Sequence, residues 1–454
     1  MPQVEIIDYP YRSNAEPLFA AIRHMPDAIW LDSGKPRSLH GRFDIITAEP
    51  SQILNTVGVT TEIIDTQVAT NSSISQEDPF TLCEQLLASQ GTVDNRFNHY
   101  PFVGGLAGYF GYDLGRKTNA LPKLDTLPDM RVGNYSWALV LNHSVQKAWI
   151  FFRDNCSPSL RNEVRQCLKQ VPDVSKNEQE CQLQQFAGSI HKDDYLEAIA
   201  SIKRYIQAGD CYQVNFAQHF STAFDGDNWE LYRYLRRVLP SPYSSFYQWG
   251  DKGEAILSLS PERFLKLSMG QVETKPIKGT IRRGTTVEED QQNAIELMNS
   301  QKDRAENLMI VDLLRNDLGK TCEPGSIRVP KLFALESFPN VHHLVSTVTG
   351  TLKKGESPLT LLKGCFPGGS ITGAPKKRAI EIIEELESSR RSVYCGSIGY
   401  ISITGRMDTN IAIRTLIADG SHLHCWGGGG IVADSEAENE YQESLDKIRT
   451  LIQL

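Results

Sequence analysis

The sequence has 454 residues, 47 of them Lys or Arg against 55 Asp or Glu, for a formal charge of −8 and a pI near 5.8. That balance gives no reason to expect a nucleic acid or another polyanion as partner, and 40% hydrophobic with 22% charged residues excludes a disordered or fibrous chain. No apolar run long enough for a membrane span and no basic-then-apolar N-terminal segment occurs, so no membrane association is expected and a cytoplasmic location is read. The nine cysteines are odd in number and contain no CxxC pair, which suits reduced thiols better than disulfides or zinc.

In chain order, short β-rich runs such as Phe43 to Thr47 and Trp137 to Leu141 alternate with Gly, Pro and Asn from Ala28 to Ile150, and one helix is expected around Phe80 to Leu87. The polar stretch Lys169 to Gln185 reads as a linker, dividing a sheet-rich portion (1–180) from a second portion (185–454). Tyr195, Ile199, Ile202 and Ile206 recur at helical spacing and end at Gly209, which predicts an amphipathic helix with a glycine at its C-terminus. A long helical region spans Glu288 to Arg315, and another helix starts near Pro375. Tyr394 to Thr404, Asn410 to Ala418 and His422 to Trp426 predict a meander. The chain closes with a helix whose apolar stripe is Tyr441, Leu445, Ile448 and Ile452, opened by a Ser435–Glu438 capping box. Sheets in both halves with helices inserted late point to an α+β fold, and no P-loop or GxGxxG fingerprint is present.

Several segments could carry chemistry. Gly427 to Gly430 lie between a strand and the last helix; a bulge or tight corner is the ordinary meaning, and an anion cradle of backbone N–H groups the chemical alternative. The glycine-rich loop Pro367 to Lys376 feeds a helix, whose free N–H groups suit either an anion or an ordinary Ser/Thr cap. Glu306 and Glu443 sit in helical regions, and periodicity alone leaves Glu443 in solvent. Lys278 lies in a constrained segment between Pro276 and Gly279; it becomes a nucleophile only if burial or a neighbouring cation lowers its pKa.

Taken together, Ser260 to Phe264, Pro276 to Thr280, Asp303 to Asp317, His342 to Ser346, Pro367 to Lys376, Ile413 to Thr415 and Gly427 to Ser435 resemble, in order and spacing, the chorismate-utilising enzymes. The resemblance covers the whole chain and is strongest from Asp210 onward, where it is greatest to the branch that makes 4-amino-4-deoxychorismate for p-aminobenzoate and folate. It implies a four-layer α/β/β/α arrangement with two large antiparallel sheets, in which the two portions form one intertwined body.

For the site, the resemblance implies magnesium held by Glu306 and Glu443, overriding the solvent assignment of Glu443, and Gly428, Gly429 and Gly430 as backbone donors to the ring carboxylate of chorismate. Arg414 and Tyr400 match positions that hold the enolpyruvyl carboxylate. Glu262 matches a general acid, His343 a histidine near carbon 4, and Lys278 a lysine that adds at carbon 2 before ammonia enters at carbon 4. Ser370, Thr372 and Thr280 belong to the same pocket. Gln213 stands where water-adding relatives carry an activating lysine, which disfavours hydration chemistry. With no glutaminase signature in the chain, ammonia is expected from a separate glutamine amidotransferase subunit. Relatives can also hold tryptophan between the sheets, and Leu31 to Ser33 with Pro240 to Tyr243 resemble the lining, marking Ser33 and Pro242. The alternatives are an anthranilate synthase component I, which aminates at the ortho position, and a non-catalytic chorismate or tryptophan sensor; the joint presence of Glu262, Lys278, Glu306 and Glu443 argues against the sensor.

Overall fold

The computed structural model describes residues 3–67, 71–114, 127–174, 183–250, 252–338 and 340–453. Alternation along the strands sets the architecture. In Ile29–Asp32, Phe43–Thr47 and Trp137–Asn142, successive residues go to opposite faces: Ile29, Ile45 and Val140 join one core cluster, whereas Trp30, Ile46 and Leu139 join another. Strands apolar on both faces must be covered on both, and here they are. The first sheet packs against the second on one side and carries helices on the other.

Among the described residues each sheet has twelve strands, with antiparallel pairings. In the first, Ile29–Asp32 neighbours Tyr243–Trp249, and the sheet continues through Glu254–Ser260, Thr415–Asp419 and His422–Ile431 to Gln213–Ala223. The second runs from Ile277–Arg282 through Val341–Thr351, Arg263–Ser268, Met407–Asn410 and Ser397–Ser402 into Gly105–Phe110 and Met130–Tyr135. Both sheets therefore combine strands from before and after the polar stretch Lys169 to Gln185, of which residues 175–182 lie outside the described residues. Helices Glu16–Ile22, Pro158–Lys169 and Asn228–Val238 cover one part of the first sheet's outer face, and Lys192–Gln207, Lys376–Leu386 and Ala437–Ile452 another. Pro79–Ser89, Gln301–Thr321 and Pro358–Cys365 pack their buried faces into the core of the second sheet. The result is the four-layer α/β/β/α fold.

Four local expectations are corrected. The long helical region is two helices, Val287–Asn299 and Gln301–Thr321, because Ser300 leaves helical geometry and its side chain caps Asp303 N. The last helix begins at Ala437 without the capping box: Ser435 Oγ instead accepts from Val432 N and donates to Glu440 Oε1. The expected meander is divided between the sheets. Ser397–Ser402 and Met407–Asn410 stay in the second, then Ile411 to Arg414 cross over and Thr415–Asp419 joins the first. The glycine run is not a loop after a strand but the last part of the strand His422–Ile431.

An aromatic cluster anchors the helices to the first sheet, with Phe246 within 5.6 Å of the ring centres of Phe19, Trp229 and Tyr232. Phe246→Ala is expected to cost about 3–5 kcal/mol of unfolding free energy, read from the midpoint of a denaturant titration.

Candidate active site

The chain passes between the sheets twice at one place. Pro261 and Glu262 link Glu254–Ser260 in the first sheet to Arg263–Ser268 in the second, and Ile411 to Arg414 make the return. The crossings are bonded together: Ile411 N donates to Glu262 O at 3.1 Å, and Ser260 Oγ donates to Ile411 O at 2.6 Å. Arg414 adopts φ +50 at the end of its crossing. Non-helical, non-sheet backbone at such a junction can aim side chains into the gap between layers.

Glu262 is buried, and Ser370 Oγ donates to its Oε1 at 2.8 Å. Burial pushes its carboxyl up to about 7, although Ser370, Lys278 and the Ile277 backbone all favour the charged form. Lys278 lies on the second sheet's edge strand, Ile277–Arg282. Burial depresses its ammonium below the ordinary lysine range; Glu306 opposes this, Lys447 adds to it, and Glu262 and Glu443 oppose it. A Cβ at Gly430 would lie 2.6 Å from Gln213 Nε2 and 3.5 Å from Lys278 Nζ, so these groups converge where only glycine fits. Gln213 is fully buried, with neither amide atom hydrogen-bonded. A buried amide whose donor and acceptor groups both lack partners among the described residues is suited to a polar ligand.

Gly428, Gly429 and Gly430 pair with Ala217, Phe216 and Asn215. Past Leu423 and His424, which pair with Thr415–Asp419, the strand's other edge has no ladder partner among the described residues, so alternate N–H groups there remain open. Gly429 faces the last helix. A Cβ there would sit 3.2 Å from Glu440 Oε2, 3.5 Å from Lys447 Nζ and 3.9 Å from Glu443 Oε1.

Glu306, half-buried on Gln301–Thr321, has its carboxyl raised by burial against the pull of Lys278 and Lys302, with Asp303 and Glu440 adding to the rise. Glu443 is exposed at the cleft rim; burial raises its carboxyl, but Lys447 at 2.7 Å, with Lys302 and Lys278, holds it below the usual range. Glu440 and Lys447 were missed by motif reading. Their signal was spacing: three residues before and four after Glu443, they share its side of the helix. Among the described residues no three such donors are gathered into a metal cage. The oxygen-only donor set instead fits a magnesium ion that takes one or two carboxylates and keeps several waters.

His343 is buried on Val341–Thr351, its Nδ1 2.8 Å from Thr280 Oγ1. Burial, then the nearby Arg414 charge, lowers its pKa to about 3, so it is neutral. Burial also lowers the Arg414 guanidinium, and among the described residues no ion pair to it is present, a setting that favours an incoming anion.

Tyr400 and Ser33 lie away from their expected places, and the Thr372 hydroxyl is turned into its own loop. Tyr400 lines a separate cavity of about 90 Å³ between the sheets, and Asp408, Arg406, Arg263 and Arg42 are the charges acting on its hydroxyl. It faces that cavity because alternation along Ser397–Ser402 points it inward between the layers. Thr372 turns its hydroxyl back to Gly368 O at 2.9 Å, bracing its own loop. Pro242 lines the inter-sheet cavity, but Ser33 does not; its backbone N–H is taken by Asp44.

A half-buried lysine lowered by desolvation, a buried carboxyl raised to about 7 that interacts with it, two further carboxylates and a guanidinium suit a small anionic substrate that loses a hydroxyl group. The chain belongs to the family of chorismate binding enzymes, matched over residues 27–453. It is 46% identical over 452 residues to aminodeoxychorismate synthase component 1 of Klebsiella aerogenes, covering 98% of each chain. It is 43% identical over 444 residues to the protein of that name from Escherichia coli strain K12, covering 96% of this chain and 95% of that one. Anthranilate synthase component I from Streptococcus pneumoniae TIGR4 superposes with a TM-score of 0.79 at 32% identity, covering 92% of this chain and 93% of that one.

Gly430→Ala would drive a methyl group against the Gln213 amide. Chorismate affinity measured by calorimetric titration is expected to fall about ten-fold or more, about 1.4 kcal/mol, with the unfolding midpoint unchanged; unaltered affinity would remove Gly430 from the site.

Proposed function

We propose that the chain is an aminodeoxychorismate synthase component 1, converting chorismate and ammonia to 4-amino-4-deoxychorismate and water. The observation that carries the residue-level reading is the Lys278–Glu262 arrangement, a half-buried amine depressed below its usual pKa and in electrostatic contact with a carboxyl raised to about 7. Hydroxide is a poor leaving group, so the departing oxygen at carbon 4 must take a proton, and Glu262 gives it. The neutral Lys278 amine attacks carbon 2, both conjugated ring double bonds shift one position toward carbon 4, and water leaves from carbon 4. Ammonia then adds at carbon 4, both double bonds shift back, and the Lys278–carbon bond breaks. Glu262 and the amines exchange the protons, so the enzyme returns to its starting state. The two allylic shifts deliver nitrogen para to the ring carboxylate.

Around this exchange, Arg414 holds the enolpyruvyl carboxylate, the open N–H groups at Gly428 to Gly430 and the Gln213 amide face the ring carboxylate, and neutral His343, braced by Thr280, lies against the carbon 4 side. Glu306 and Glu443, with Glu440 beside them, would hold a magnesium ion, which would supply charge neutralisation at the ring carboxylate. Because only unprotonated ammonia attacks, a partner glutamine amidotransferase delivers it sheltered from water. The chain works in the cytoplasm, where its thiols stay reduced. The inter-sheet cavity lined by Leu31, Arg42, Phe43, Pro242, Tyr243 and Tyr400 has aromatic walls and charged ends suited to the indole and amino-acid groups of tryptophan.

Incubation with chorismate, magnesium and ammonia, followed by a lyase, should give p-aminobenzoate; anthranilate instead would identify the ortho-aminating reaction. Without ammonia, mass spectrometry should find a chorismate-derived adduct on Lys278, absent from Lys278→Ala. Glu262→Gln is expected to lower kcat by about 10²–10⁴. At a fixed concentration of unprotonated ammonia, the wild-type rate should fall as pH rises through about 7, where Glu262 loses its proton; a rate still rising across that range would assign the acid elsewhere.

A further inference from the structure

Lys376 begins the helix Lys376–Leu386, where a positive charge opposes the helix dipole. Its side chain is nonetheless turned inward and only 15% exposed. All three ammonium protons are used: on Asp317 Oδ2 at 2.5 Å, Pro367 O at 2.8 Å and Cys365 O at 2.9 Å. Asp317 is itself buried near the end of Gln301–Thr321, and its other oxygen accepts from Lys320, which also bonds Gly364 O at 2.9 Å. The helix that carries Glu306 thus grips the end of Pro358–Cys365 and the first residue of the glycine-rich loop.

The rest of that loop is held as tightly. Thr372 Oγ1 donates to Gly368 O, and Arg391 Nη1 donates to Ile371 O at 2.8 Å. Between these fixed points Ser370 projects its hydroxyl onto Glu262 Oε1. Glycines at 368 and 369 give the backbone no side-chain packing beyond Pro367, so the carbonyl anchors must set its course.

We propose that Lys376 is a positioning residue for the acid carboxyl: held by Asp317, its ammonium pins the carbonyls of Cys365 and Pro367 and so fixes the loop from which Ser370 reaches Glu262. The role rests on the reading of Glu262 as the general acid. Asp317 keeps the lysine charged in a buried place, because removing the carboxylate would leave that charge uncompensated.

The test is the pH dependence of kcat in three proteins: Ser370→Ala, the double variant Lys376→Met with Asp317→Asn, and their combination. Loss of the Ser370 bond lets Glu262 keep its proton to higher pH, so the falling limb should move up by about one pH unit in Ser370→Ala. The double variant should move it in the same direction, and the combination no further than Ser370→Ala alone. A wild-type limb in the double variant, or a shift that adds to that of Ser370→Ala, overturns the role of Lys376 while leaving Glu262 as the acid. An unmoved limb in Ser370→Ala overturns both. Should the double variant not fold, Lys376→Gln, which leaves Asp317 its second lysine, is read by the same criteria.

Discussion

Desolvation governs this site. In water a lysine and a glutamate near each other are an ion pair, and neither an acid nor a nucleophile. In the cleft, burial is the largest influence on both groups and acts against both charges, raising Glu262 to about 7 and depressing Lys278. Their mutual attraction works the other way in each case and is the smaller effect. Both shifts favour the neutral pair over the ion pair, the condition under which one can give a proton and the other an electron pair.

The fold supplies that burial with little side-chain bulk. A strand with four glycines before its last residue, Ile431, forms one wall, and the edge strand with Lys278 forms the other, so a ligand can meet backbone and the Gln213 amide where methyl groups would otherwise stand. The two crossings between the sheets lie side by side and bring Glu262 and Arg414 from opposite directions. The carboxylates proposed for a cation come from two helices far apart in sequence, Gln301–Thr321 and Ala437–Ile452. Lys302 and Lys447 already lie beside those carboxylates, which limits the repulsion among like charges.

Much of this was legible in the chain. The Tyr195 to Ile206 stripe became Lys192–Gln207, with Gly209 at φ +83 just beyond it, because helical spacing of apolar residues is a local property. The motifs around Glu262, Lys278, Glu306, His343 and Arg414 drew attention to residues that do converge. Other readings erred where long-range contacts outweighed local signals. Glu438 had the spacing of a capping box, yet Ser435 was claimed by Glu440. The last strands were read as one meander because their spacing contains nothing about which sheet each joins. Tyr400 was placed with Arg414 on motif order alone, and strand alternation turned it into another cavity.

By itself, the sequence determined the α+β class, the periodic helices, the family and the types of group available to the reaction, since these rest on residue identity, spacing and local geometry. Only the tertiary structure decided that Lys278 and Glu262 are desolvated together, that Gly429 and Gly430 face different partners, and that Lys376 is turned inward onto the loop of Ser370. Burial and Coulomb interactions depend on distances between segments tens to hundreds of residues apart, and those distances exist only once both sheets have closed around the cleft.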